Sequence, residues 1–342
     1  MIFDISSELS EVLDFLGSEG SGSVAFIVRD GRLAGSITDG DIRRSLSASS
    51  QLIPSISNLM NSQVRYIIEG SNIRASFKAL KREGITHVPL VHENLSIIRI
   101  LNAKELNTVL PVTAVIMAGG LGSRLAPLTD NVPKPLLKVG KKSIIDYTFD
   151  RLVKCGVISF FIPVKYKADM IINHFENMKN GHFSTEFFIE TEPLGTIGSL
   201  AYLSDIHTDY VLLTNADVLT NINYEKLYEV ALDLDADIAV STISYEVDIP
   251  YAVVDTHDTQ IVSLIEKPKY SYQCNSGIYL IRKELLLSLE KDKRCDAPDF
   301  IELNIAKGKN VIYVNNDRFW LDIGKHKDFE LAQSLVKEIN FD

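Results

Sequence analysis

From Val112 onward, short apolar runs of strand length alternate with segments of helical spacing. This alternation constrains the fold more than any other feature of the 342-residue chain. Strand-type runs fall near 112–117, 157–163, 185–190, 209–214 and 237–243, and helix-type segments near 143–155, 167–178, 196–203 and 223–234. Parallel strands need a crossover between them, usually a helix, so the pattern predicts an α/β domain with a Rossmann-like, mixed but mostly parallel sheet. From Tyr251 the pattern shifts to short strands, and Leu331 to Ile339 is expected to close the chain as a helix.

Open α/β sheets bind ligands beyond the carboxyl ends of their strands, so the segment after the first run carries most information. It reads MAGGLGSRLAPLTDNVPKP, residues 117–135. Its glycines let the backbone approach a ligand closely and turn N–H groups toward it. Arg124 supplies a fork suited to bidentate phosphate contacts, and Lys134 a mobile point charge. The spacing is not GxGxxG, which disfavours a dinucleotide fold, and no Gly-Lys-Ser/Thr follows, so it is not a P-loop. Further on, Leu212 to Asp217 (LLTNAD) is an apolar strand ending in an acid, placed either to ligate a cation or to cap the next turn.

Residues 1–108 read as a separate α+β module. Val24 to Val28 and Leu33 to Ile37 flank the turn Asp30-Gly31 as a hairpin, and TDGDIRRS (38–45) follows, with Asp39 or Asp41 placed to cap a helix. A weaker copy of the same order comes next: a helix over Ser71 to Glu83, strands at Val88 to Val91 and Ile97 to Leu101, and a helix starting in Asn102 to Leu106. The segment LNTVLP (106–111) is the expected linker.

The net charge of −10 disfavours a nucleic-acid partner, which needs a basic face, but leaves nucleotide binding open. No apolar run reaches membrane-span length, and the opening MIFDISSELS has no signal-peptide core. Cys155, Cys274 and Cys295 form no CxxC pair or disulfide framework, which points to a reducing compartment. A cytoplasmic location is the expectation.

The segment GGLGSRLAPLTDNVPKP resembles the signature of the sugar-1-phosphate nucleotidylyltransferases, whose catalytic domain is glycosyltransferase-A-like. Further segments of 112–342 are similar to family motifs: Glu192 to Gly198 (EPLGTIG) to the EPLGTAG loop, Glu266-Lys267-Pro268 to EKP, Asn275 to Tyr279 to NxGIY, and Trp320 to Gly324 to WxDxG. The resemblance implies transfer of a nucleoside monophosphate from a nucleoside triphosphate to a sugar 1-phosphate. It implies Mg²⁺ on Asp217 and Asp322, a catalytic set of Arg124, Lys134 and Lys267, and nucleotide contacts at Ala118, Gly119, Gly120, Gly122, Ser123, Glu190 and Gly195. Sugar contacts are implied at Glu266, Asn275 and Gly277. The chain departs from many relatives at Lys165, where Asn is common before the Tyr, and at His326, where Pro is common.

The segment GSITDGDIR (35–43) resembles a CBS domain, and a tandem CBS pair over 1–108 implies an adenine nucleotide at Thr38 and Asp41 and association with a second copy. The second repeat carries Asn102 to Glu105 where TxxD is expected. A CBS pair ahead of such a domain is similar to the guanylyltransferases that activate glucosamine-1-phosphate in legionaminic-acid synthesis, and to mannose- and heptose-1-phosphate guanylyltransferases. Glu190 argues the base: a carboxylate can accept both guanine N1–H and N2–H, so GTP is expected, with glucosamine- or mannose-1-phosphate as acceptor. The alternatives are dTTP, UTP or CTP in the same reaction, a catalytically inactive subunit that keeps the fold, or a nucleotide sensor whose large domain is a passenger.

Overall fold

The computed structural model describes every residue except 21, 49–54, 179–182, 204–205, 340 and 342. It divides into two units, Met1–Val109 and Leu110–Asp342.

The first unit contains β1 (Ile2–Asp4), α1 (Leu9–Glu19), β2 (Val24–Arg29), β3 (Arg32–Thr38), α2 (Asp39–Ala48), α3 (Ile56–Leu59), β4 (Ile67–Ile68), α4 (Ile73–Arg82), β5 (His87–Val91) and β6 (Ile97–Asn102). Its halves share one plan. β1 pairs parallel with β2 and β2 antiparallel with β3, as β4 does with β5 and β5 with β6. The β2–β3 hairpin turns at Asp30 and Gly31, both with positive φ, as a tight turn of this kind requires.

Two expectations need correction here. The cap of α2 is Thr38, not an aspartate: Asp41 N–H donates to Thr38 Oγ1 at 3.3 Å, while Asp41 Oδ2 accepts the Thr38 N–H at 2.9 Å, a reciprocal arrangement at the helix start. Directly after β6 the chain forms a turn instead of the expected helix. Asn102 Oδ1 takes the Lys104 N–H at 3.0 Å and its carbonyl takes the Glu105 and Leu106 N–H groups, so the chain makes one turn and stops. Asparagine bonding its own downstream backbone favours a turn over a continuing helix.

The second unit runs β7 (Val112–Met117), β8 (Lys138–Val139), β9 (Lys142–Ser143), α5 (Ile144–Lys154), β10 (Ser159–Val164), α6 (Ala168–Glu176), β11 (Ser184–Ile189), α7 (Gly195–Gly198), β12 (Tyr210–Asn215), β13 (Val218–Thr220), α8 (Tyr224–Asp233), β14 (Ile238–Asp248), β15 (Val253–His257), β16 (Gln260–Ile265), β17 (Lys269–Arg282), α9 (Lys283–Leu286), α10 (Ala297–Ala306), β18 (Val311–Asn316), β19 (Trp320–Asp322) and α11 (His326–Leu335). Among the described residues the main sheet has seven strands in the order β11-β10-β7-β12-β17-β14-β18, with only β17 antiparallel to its neighbours. The central strands are apolar on both faces because both are covered. Ala114, Ile116, Phe160, Ile162 and Leu212 pack into one core, and Val115, Phe161, Val211 and Leu213 into the core on the other side. A third cluster joins Leu125 of the glycine-rich loop to Leu219 of β13 and to Ile323, anchoring the loop beside the strand ends.

The region after Tyr251 is not simply short strands: β17 is 14 residues long and α10 is a full helix. The closing helix starts earlier than expected, at His326, where the Asp328 carboxylate accepts the Lys325 N–H at 2.9 Å. Among the described residues no helix is long and apolar enough to cross a membrane.

Asp146 shows how one buried acid fixes the frame. Its Oδ2 accepts the Ser143 N–H at 2.9 Å and closes a capping box on α5, and its Oδ1 meets His174 Nε2 of α6 at 2.6 Å. Burial pushes the carboxyl up, but the His174 and Ser143 hydrogen bonds and the nearby His174 and Lys138 charges outweigh it, so the net value is lowered. A lowered folded pKa gives stability present above the unfolded value of about 3.9 and lost as pH falls through the folded one. Asp146→Ala should therefore cost about 1–2 kcal/mol near neutrality, on the scale of a lost helix cap. The wild-type advantage in urea midpoint should shrink as the pH is taken below about 4.

Candidate active site

The glycine-rich loop leaves β7 at the carboxyl edge of the sheet. Gly122 has φ +65°, and a Cβ there would lie 2.8 Å from Lys134 Cβ and 3.0 Å from Thr129 Cγ2, so only glycine fits. The close packing folds Lys134 back under the loop, where its side chain is 9% exposed and its Nζ lies 2.5 Å from Asp217 Oδ2. Arg124 is exposed on the same loop, and a Cβ on Gly324 would meet Asp322 Oδ2 at 3.4 Å and Arg124 Nη1 at 3.5 Å. Arg124 and Asp322 thus flank the same glycine.

Asp217 and Asp322 are brought together by pairing over about a hundred residues of chain. β13 runs antiparallel to β19 with Val218 opposite Asp322, and Ile323 N–H donates to the Asp217 carbonyl at 3.0 Å. Burial and the neighbouring Asp217 charge push the Asp322 carboxyl up, against Lys134 and Arg124. Two carboxylates set this close together are a fit for a hard divalent cation. Mg²⁺ takes one or two carboxylates and fills its remaining positions with phosphate oxygens and water. Among the described residues no group of three or more His, Cys, Asp or Glu side chains is placed to hold a metal ion.

The other end of the site is built on the ends of β10 and β11. Glu190 is 7% exposed, its Oε1 is buried without a hydrogen-bond partner, and a Cβ on Gly119 would stand 3.2 Å from its Oε2. Burial pushes this carboxyl above its ordinary value, with the Leu194 N–H, the Ser199 hydroxyl and the Lys165 charge opposing. Gly195, at φ +78°, packs so closely on the Cys295 carbonyl and Asp296 Oδ1 that a Cβ would come within 2.6 Å of each. Thr196 locks the contact, giving its N–H to Asp296 Oδ1 and accepting the Ala297 N–H at 2.6 Å.

A cavity of about 510 Å³ joins the two ends. Gly119, Gly120, Gly122, Ser123, Arg124, Lys134, Glu190, Gly195 and Asp217 line it. Ala118 lies buried at the strand end, bridged to Val164. Glu266 and Lys267 are not drawn in: both are exposed at the end of the β15–β16 hairpin, outside this lining. Asn275 donates to Tyr279 Oη at 2.8 Å and accepts the Gly277 N–H at 2.9 Å, and Gly277 packs on the Asn215 amide. Sequence reading missed Lys165 as a lining residue, together with Asn215, Thr196 and Asp296. Asn215 was within reach, two residues before Asp217 on the same strand end. Asp296 could have been found as the cap preceding Ala297-Pro298, a helix-start signature. In the first unit Thr38 Oγ1 donates to Asp41 Oδ2 at 2.6 Å and Arg44 pairs with Asp41 Oδ1 at 2.6 Å.

An anion-binding loop on one strand end, Asp217 after the next strand with Asp322 paired beside it, and a buried acceptor two strands away define a nucleotide-handling α/β enzyme. Residues 113–338 match the Nucleotidyl transferase family, and the chain belongs to it. It is 29% identical over 227 residues to D-glycero-alpha-D-manno-heptose 1-phosphate guanylyltransferase of Aneurinibacillus thermoaerophilus, covering 66% of this chain and 98% of that protein. It is 32% identical over 228 residues to mannose-1-phosphate guanyltransferase beta-A of Xenopus laevis, covering 63% of this chain and only 62% of that protein's length. The crystal structure of HddC from Yersinia pseudotuberculosis complexed with GMP-PN superposes with a TM-score of 0.51 at 28% identity, over 66% of this chain and 99% of that one.

Proposed function

We propose that the protein transfers a guanylyl group from GTP to a sugar 1-phosphate, glucosamine- or mannose-1-phosphate, releasing pyrophosphate and yielding a nucleotide-sugar for surface-glycan synthesis. One observation carries the reading: a single cavity holds the buried Glu190 carboxylate at one end and the Lys134–Asp217 pair at the other. A nucleoside triphosphate has matching ends, a base with N–H donors and a polyanionic tail. The relatives named for guanylyl transfer to mannose and heptose 1-phosphates support the same choice.

In this reaction an oxygen of the sugar phosphate attacks the α-phosphorus of GTP. A new P–O bond forms as the bond to the bridging oxygen breaks, and pyrophosphate leaves with the electron pair. The attacking phosphate is already ionised, so no general base is needed, and the chain's work is positioning and charge stabilisation. Backbone N–H groups of Gly119, Gly120, Gly122 and Ser123 cradle the phosphates, and Arg124 and Lys134 neutralise their charge; Ala118, whose N–H donates to the Pro163 carbonyl at 3.0 Å, holds the start of the loop against the sheet. Asp217 and Asp322 would hold Mg²⁺, whose charge stabilises the reacting phosphate oxygens. Glu190 and the Gly195 turn receive the base, while Glu266, Asn275 and Gly277 face the sugar and Lys267 orients its phosphate. Glu266 and Lys267 are exposed after the β15–β16 hairpin, open to a sugar phosphate arriving from solvent.

The first unit is read as a CBS pair that associates with a second copy and takes an adenine nucleotide at Thr38 and Asp41. Its second half, ending in a turn, has no matching residues. The decisive experiment is pyrophosphate release with Mg²⁺, each common nucleoside triphosphate being paired with glucosamine-, mannose- and glucose-1-phosphate. Turnover with GTP and one sugar is expected. Preference for dTTP, UTP or CTP would overturn the base assignment, and no turnover with any pair would favour an inactive subunit.

A further inference from the structure

We propose that Lys165 reads the O6 edge of the base, so that guanine is chosen by an ammonium and a carboxylate acting side by side. This deepens the guanylyl reading above and rests on it.

Lys165 follows β10 and Glu190 follows β11. The strands are parallel, with Val164 opposite Ile189, and Glu190 N–H donates to the Val164 carbonyl at 2.8 Å. Two side chains therefore leave neighbouring strand ends at the same level, and both line the cavity. Lys165 Nζ lies 3.2 Å from the carbonyl of Thr191, the residue next to Glu190. That contact uses one of the ammonium's three N–H groups and leaves two to offer. Glu190 Oε1 is buried and has no partner to accept from.

Guanine presents in a row the N2–H donor, the N1–H donor and the O6 acceptor. A carboxylate matches the first two, and O6 then needs a donor on the carboxylate's flank, which is where Lys165 stands. The other bases fit worse. Uracil and thymine place acceptors on both sides of their single N–H, so one carbonyl oxygen would face the carboxylate. Adenine and cytosine turn an unprotonated ring nitrogen toward it. The Lys165 charge also favours the ionised form of Glu190, the form able to accept twice.

The test compares GTP, 6-thio-GTP and ITP by kcat/KM for pyrophosphate release, using the full chain as wild type, Lys165→Met and Lys165→Arg. Sulfur is a weak acceptor, so 6-thio-GTP weakens the O6 contact, while ITP lacks the N2 amine facing Glu190. The wild type should prefer GTP to 6-thio-GTP about tenfold, the scale of one hydrogen bond to a charged group. Lys165→Met should bring that ratio close to one and leave the GTP-to-ITP ratio unchanged, and Lys165→Arg should keep most of the O6 preference. A GTP-to-6-thio-GTP ratio that is equal in wild type and Lys165→Met, or near one in the wild type, overturns the Lys165 assignment and leaves the guanylyl reading standing. A wild type that prefers another triphosphate to GTP overturns the guanylyl reading, and this assignment with it.

Discussion

Asp217→Ala is expected to lower kcat/KM on the order of 10³-fold, the scale seen when a preorganised electrostatic group is removed from a reacting centre. Two losses combine. One of the two carboxylates joined through β13 and β19 disappears, and Lys134, whose side chain is 9% exposed, loses the partner 2.5 Å from its Nζ. The fold should survive, because the side chain is 28% exposed at the cavity and the Ile323 N–H still finds the Asp217 carbonyl. Asp217→Asn separates the two losses, since its amide oxygen can still accept from Lys134 but carries no charge. If charge toward the divalent ion is what matters, both variants should be nearly inactive across an Mg²⁺ titration while their far-UV circular dichroism matches wild type, and any drop in melting temperature should be larger in Asp217→Ala, which leaves Lys134 unpaired. Activity within tenfold of wild type in Asp217→Ala would assign this acid to turn geometry instead.

Much of this site could be read from the sequence because its parts are local. The glycine-rich loop, Arg124 and Lys134 lie in one segment, and the apolar runs of β7, β10 and β12 are continuous because both faces are covered. The meeting of Asp217 with Asp322 is different: it depends on the pairing of two three-residue strands, which no spacing rule gives, and only the family resemblance reached it. Lys165 was visible as a departure from relatives, yet its role at the base end depends on the register of β10 against β11. The same resemblance expected Glu266 and Lys267 at the site, whereas the hairpin before them holds both in solvent. The helix over Ala297–Ala306 departs from the short strands expected after Tyr251, although Asp296 and Pro298 carry a helix-start signature.

Glu190→Gln should cut kcat/KM for GTP about 10²-fold, because a site built to pair with donor groups strongly rejects a mismatch. Glutamine offers one acceptor and one donor, so one guanine N–H would face an N–H. UTP and dTTP, with a single donor between two acceptors, should lose far less and could gain. The pH dependence gives a second reading. Burial raises the Glu190 carboxyl, and GTP needs its ionised form, so wild-type GTP affinity should fall as the pH drops toward that raised value. In Glu190→Gln the same profile should be flat. Stability runs the other way: a carboxyl with a raised folded pKa contributes stability below its unfolded value of about 4.3 and loses it as pH rises through the folded value. At pH 7 wild type therefore holds a buried charge that the variant lacks, and Glu190→Gln should melt no lower than wild type. A variant that is at least as stable but has lost GTP identifies Glu190 as kept for the base; one that loses stability and GTP together identifies it as part of the frame around the Gly195 turn.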